Sequence, residues 1–187
     1  MPGRADPEGY RGLVLTIGHS ARTFAQFLEL LREAGVDHLV DVRRFPASRR
    51  NPQFDETVLG ERLRREGGVR YSHLPGMGGR RAPRPDSPNA GWTNPSFRGY
   101  ADHMATPEFC VDFERLVELC ECGDRACLLC SEAVWWRCHR RMIADALLVR
   151  GFAVQHVLRE HSRMLHALTP WAKVVDATHL LYPPPAG

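Results

Sequence analysis

Five short apolar runs, at 13–17, 38–42, 69–74, 126–130 and 152–158, are spaced along the chain with longer, mixed stretches between them. Each is too short for a stable helix, and most are rich in Val, Leu and Ile, as a strand buried on both faces requires. Several of the intervening stretches carry apolar residues at helical spacing. Thr23 and Gln26 make a capping box ahead of Phe24, Phe27, Leu28 and Leu31, and Gly35 supplies the stop. Residues 55–66 repeat the pattern with Val58, Leu59 and Leu63, and 107–121 with Phe109, Phe113, Leu116, Val117 and Cys120. A last helix after Trp136 carries Met142, Ile143, Ala146 and Leu147 as far as Gly151. Strands alternating with helices predict an α/β domain: a mostly parallel five-stranded sheet with helices on both faces, a Rossmann-like three-layer sandwich.

The expected organisation is a flexible tail at 1–11, a single α/β domain at 12–161 and a C-terminal extension at 162–187. Met164, Leu165, Leu168 and Trp171 suggest a short helix in the extension. Within the domain, 75–99 is dense in Gly and Pro and has no period, so it reads as a long loop serving as a lid or a wall. No run approaches the length of a membrane span and no charged-then-apolar leader opens the chain, so a cytoplasmic protein with no membrane partner is expected. All six cysteines fall between Cys110 and Cys138. Without a secretion signal they favour free thiols or a metal over a disulfide framework.

Charge is uneven. Residues 43–84 hold eleven Arg against four acids, and Lys173 is the sole lysine of the chain. Guanidinium forks match phosphate and carboxylate better than ammonium does, which favours an anionic small molecule or a nucleic acid as partner. Four of those arginines sit with Ser48 and Asn51 on a segment that Pro46 and Pro52 keep out of a helix.

In a parallel sheet the carboxyl ends of the strands share one rim, where ligands bind. Here those ends lead into His19-Ser20, Arg43-Arg44, Cys130-Ser131-Glu132 and Arg159-Glu160-His161. The stretch 130–141, CSEAVWWRCHRR, concentrates the chemistry. Cys130 is placed for activation by a helix amino end and nearby Arg. Glu132 can cap amides or act as acid or base, and His19 is the candidate partner of the thiol. Cys138 and His139 stand about 100° apart if helical, so one of the two is expected to face a given pocket, with Arg140 as an anion fork. Trp135 and Trp136 suit core packing or stacking on a base.

Three templates fail. A tyrosine-phosphatase-like loop needs Arg at 136, where Trp stands. A zinc site from Cys120, Cys122, Cys127 and Cys130 would need strand residues three apart to face one way. Glycine fingerprints for dinucleotides and Walker-type loops are missing. No cofactor and no resident metal is therefore expected.

The segments TIGHS at 16–20, DVRRFPASRRNPQF at 41–54, HLPGMGGRR at 73–81 and CSEAVWWRCHRRMIADAL at 130–147 resemble the domain-of-unknown-function 488 family. The resemblance implies an α/β domain whose recurring residues fall here on His19; on Arg43, Pro46, Ser48, Arg49 and Asn51; and on Cys130, Glu132, Cys138, His139 and Arg140. It supplies a site and no reaction. The leading expectation is an enzyme for a phosphate-bearing substrate, a nucleotide or nucleic acid, with Cys130 as nucleophile or redox thiol. Glu132 and His19 would be its acid–base partners, and Arg43, Arg49 and Arg140 the anion forks. The rivals are a non-catalytic nucleic-acid-binding module, and a metal-binding domain using Cys130, Cys138 and His19 or His139.

Overall fold

The computed structural model describes residues 9–47, 49–176 and 179–184. Ser48 and most of the expected N-terminal tail, residues 1–8, lie outside the described residues. The strands are β1 (Leu13–Gly18), β2 (His38–Asp41), β3 (Arg70–His73), β4 (Ala126–Cys130), β5 (Ala153–Arg159) and β6 (Ser162–Leu165). They form one sheet in the order β3-β2-β4-β1-β5-β6, parallel throughout except for the antiparallel β5–β6 pair.

The two-residue period of a strand decides which helix each side chain meets. Leu15, Ile17, Leu39, Cys127 and Leu129 share one face with Phe24, Phe27, Leu28 and Leu31 of α1 (Phe24–Glu33) and Leu59 of α2 (Glu56–Arg62). Val14, Val40, Leu128 and Val154 share the other with α3 (Pro95–His103), α4 (Pro107–Glu121) and α5 (Arg140–Val149). Burial on both faces explains why β4 is apolar at every position, and the sandwich has the expected three layers.

Three features differ from expectation. The sheet has a sixth strand where a short helix was expected. A two-residue turn at Glu160 and His161, with His161 at φ 53°, folds residues 162–165 back on β5. Met164 and Leu165 are largely exposed there, so their apolar character reported no buried helical face. Residues 166–176 and 179–184 lie across the domain, bury Tyr182 and form the hairpin β7 (Lys173–Val174) with β8 (Leu180–Leu181).

The second difference is α3, which begins inside the expected long loop. Asn94 caps it by accepting from the Ser96 N–H, and Pro95 stands at its first position. The rest of 75–99 is a pinned wall. Asp102 accepts from Arg84 N, Ser87 Oγ and Asn89 Nδ2, while Tyr100 donates its hydroxyl to Met77 O.

The third concerns the segment after β4. Residues 131–139 form a turn and a short 3-10 helix at Trp135–Arg137, so α5 begins ten residues beyond Cys130. The thiol that ends the strand is not at the helix amino end, and Cys138 is.

Candidate functional site

The three central strands, β2, β4 and β1, lead at their carboxyl ends into Arg43, Cys130 and His19. Main-chain bonds lock the junction: Val42 N–H donates to Leu129 O at 3.0 Å and His19 N–H to Cys130 O at 2.9 Å. Above this edge opens a cleft of about 650 Å³, within the size range of small-molecule sites. His19, Arg43, Cys130 and His139 line its floor; Arg44, Phe45, Arg50 and Arg80 line it from the loops, with Asn51 and Gly79.

Cys130 and Cys138 meet below the cleft with His139. One ligand atom from each, two sulfurs and an imidazole nitrogen, lie within 4.8 Å of one another. The ring of His139 has a fixed sense. Its Nε2 is 3.0 Å from Val42 O, which can only accept, so Nε2 carries a proton, and Nδ1 faces Cys138 Sγ at 3.7 Å. Arg140 donates Nε–H to the same sulfur at 3.4 Å.

These surroundings separate the two thiols. Burial alone raises the Cys138 pKa, but the hydrogen bond from Cys130, the Arg140 charge and the Arg140 N–H donors outweigh it and bring it down to about 6. Cys130, hydrogen-bonded to Cys138, buried and facing that negative sulfur, is pushed well above its usual value. Of the two thiols, Cys138 is the one whose surroundings favour the thiolate. The helix start and its guanidinium, expected beside Cys130, lie ten residues further on, at Arg140 beside Cys138.

His19 is not the partner of Cys130. It shares the strand parity of Leu15 and Ile17, so its ring stacks on Phe54 in the α1 layer, with centroids 4.3 Å apart. Its Nδ1–H donates to Ser20 O at 2.8 Å, and its Nε2 faces Arg43 Nη1 at 3.4 Å. Burial holds its pKa down to about 4, so the ring is neutral and its lone pair faces a donor. The imidazole beside the sulfurs is that of His139.

Arg43 is itself committed. Asp41, fully buried, accepts from Arg43 N, from Nε at 2.9 and 3.0 Å, and from Tyr71 OH at 2.8 Å; Phe54 O takes Arg43 Nη2. Arg140, 1 % exposed, is spent on Cys138 Sγ, Thr16 Oγ1 and Glu132 O. Arg49 is exposed and does not line the cleft. Of the three expected forks only Arg43 lines the cleft, at its floor and tied to Asp41, while Arg44, Arg50 and Arg80 line it from the loops. Glu132 is also displaced from its expected role. Its carboxylate is exposed, accepts from Val134 N–H and belongs to the turn rather than to the cleft lining.

Behind Arg140 runs a buried chain of hydrogen bonds that the sequence did not suggest. Arg140 Nη1–H donates to Thr16 Oγ1, whose hydroxyl meets His156 Nδ1 at 2.7 Å. His156 Nε2 is 3.0 Å from His166 Nδ1, and His166 Nε2 is 2.9 Å from Asp145 Oδ1. A guanidinium only donates and a carboxylate only accepts, so the chain runs from a fixed donor at Arg140 to a fixed acceptor at Asp145. Burial drives the His156 pKa to about 2, which keeps it neutral. Trp135 covers it, stacked at 4.0 Å, so this indole is a packing residue, while Trp136 is exposed.

A protein-family model described as "Domain of unknown function DUF488" matches residues 23–147. The chain belongs to the DUF488 family. No curated protein and no solved structure matches it. The matched span of the DUF488 domain holds the two cysteines, His139, Arg140 and all the cleft arginines. It leaves out His19, Thr16 and the two buried histidines of the chain to Asp145. No helix among the described residues of this DUF488 protein is long and apolar enough to cross a membrane.

Proposed function

We propose that the protein is an enzyme acting on a small phosphate-bearing molecule of nucleotide size, held in the cleft and reacted at the Cys130, Cys138 and His139 group. The observation that carries this reading is the convergence, at one walled cleft, of a sulfur–imidazole group on the floor with three arginines on the sides. Arg44, Arg50 and Arg80 supply guanidinium forks suited to phosphate. Phe45, 65 % exposed at the same cleft, offers a face on which a base can stack. A bounded cleft favours a discrete small molecule over a polymer tracked along an open surface.

The test is calorimetric titration with nucleoside mono-, di- and triphosphates, followed by turnover assays on those that bind. Binding is expected to weaken about tenfold or more in Arg44→Ala and Arg50→Ala, since a hydrogen bond to a charged group contributes roughly 1.5–3 kcal/mol. Cys138→Ser, at a thiol below the cleft, should bind as before and turn over no substrate. No affinity for any phosphate compound would end this reading. So would single-stranded nucleic acid bound with steep salt dependence by a chain that ignores nucleotides, as a non-catalytic binding module requires.

A further inference from the structure

We infer that Cys130, Cys138 and His139 form a binding site for a thiophilic divalent cation of the zinc class, with one coordination position open to the cleft. The three ligand atoms lie within 4.8 Å of one another, and Cys138 Sγ is 3.7 Å from His139 Nδ1. Tetrahedral zinc, with bonds of about 2.3 Å to sulfur and about 2.0–2.1 Å to nitrogen, sets sulfur and nitrogen ligands about 3.6 Å apart and two sulfurs about 3.8 Å apart. The Cys138–His139 pair already has that spacing. The longest separation in the group needs to close by about 1 Å at most, a side-chain torsion rather than a backbone movement.

The surroundings are those a metal ligand needs. A metal-bound imidazole commonly gives its other N–H to a carbonyl, which fixes the ring, and Val42 O takes that of His139 here. Arg140 donates Nε–H to the Cys138 sulfur, a partner that steadies a ligating thiolate. Gly79 opens the remaining side. A Cβ at that position would stand 2.8 Å from His139 Nδ1, so a residue with a side chain would crowd the nitrogen where it meets the cleft. Two thiolates and a neutral imidazole are soft donors, which select zinc-like ions over magnesium or calcium.

Three protein ligands with a fourth position open describe a reactive rather than a closed structural zinc. In its action on a bound phosphate compound this inference rests on the function proposed above; the binding of the ion does not.

The test uses the full chain, reduced and stripped with chelator, then titrated with Zn²⁺ against a chromophoric chelator and with Co²⁺ as a spectroscopic substitute. One equivalent per chain of micromolar or tighter affinity is expected, with a thiolate-to-cobalt charge-transfer band. Cys130→Ser and His139→Gln should each weaken binding by more than about 100-fold, and Gly79→Ala by about tenfold. Cys110→Ser and Cys122→Ser, at thiols outside the group, should bind as wild type. A wild-type chain that takes up no ion, or an ion held equally well by Cys130→Ser and Gly79→Ala, would overturn the site. Ion bound by a chain that binds no phosphate compound sinks the function above and leaves this site standing. Turnover in a stripped chain that takes up no metal does the reverse.

Discussion

At the scale of single residues, side-chain parity decides more than proximity in sequence. His19 and Cys130 flank each other across β1 and β4, yet they point to opposite faces, because Gly18 pairs with Cys130 and His19 is one residue on. Gly18 itself has a steric reason to be glycine. A Cβ there would overlap the Glu132 carbonyl, which the turn after β4 brings against the end of β1. Gly18→Ala should cost about 3 kcal/mol in chemical denaturation and displace the 130–133 turn, the usual penalty of overpacking at rigid backbone. Asp41 is the second such residue. Asp41→Asn leaves the Arg43 guanidinium buried against a neutral partner, and a loss of roughly 3–5 kcal/mol is expected from urea melts. A change below 1 kcal/mol would show that Phe54 O and the cleft suffice to hold Arg43.

At the scale of elements, caps and pins set the boundaries. The Thr23 and Gln26 capping box was legible as spacing and is present in both its bonds, so Thr23→Ala should cost about 1 kcal/mol of stability. The start of α3 was legible too, in Asn94-Pro95, but was masked by the surrounding Gly and Pro. The C-terminal segment is pinned to the domain at several points, three of them on one acid of α5. Asp145 accepts from His166 Nε2, Thr169 N and Tyr182 OH, all buried. Asp145→Asn should therefore release 166–182 as a unit. Hydrogen exchange should quicken across that segment ahead of the sheet, whereas uniform acceleration everywhere would mean the acid supports the whole domain equally.

At the scale of the whole molecule, buried neutral histidines tie stability to pH. The His156 pKa falls from 6.5 unfolded to about 2 folded, and burial also lowers those of His38 and His103. Below pH 6.5 the unfolded chain takes up protons that the folded chain refuses, so stability falls as pH drops through that value. The slope from His156 alone is about 1.4 kcal/mol per pH unit until the folded pKa is reached. Melting temperatures followed from pH 7.5 to 5 should fall in wild type and fall less steeply in His156→Gln; parallel curves would remove His156 as a source.

The sequence by itself determined the layers, four of the five α-helices among the described residues and the rim on which polar residues gather. Those follow from periodicity and punctuation, which are local. Tertiary structure alone decided which thiol lies at the helix start, which imidazole lies beside it and which arginines line the cleft. Each of those depends on strand order and on which face a side chain occupies. Buried polar groups take partners across 24 to 140 positions of sequence, as Arg43 with His19 and His156 with Thr16 do, and no local pattern encodes that pairing.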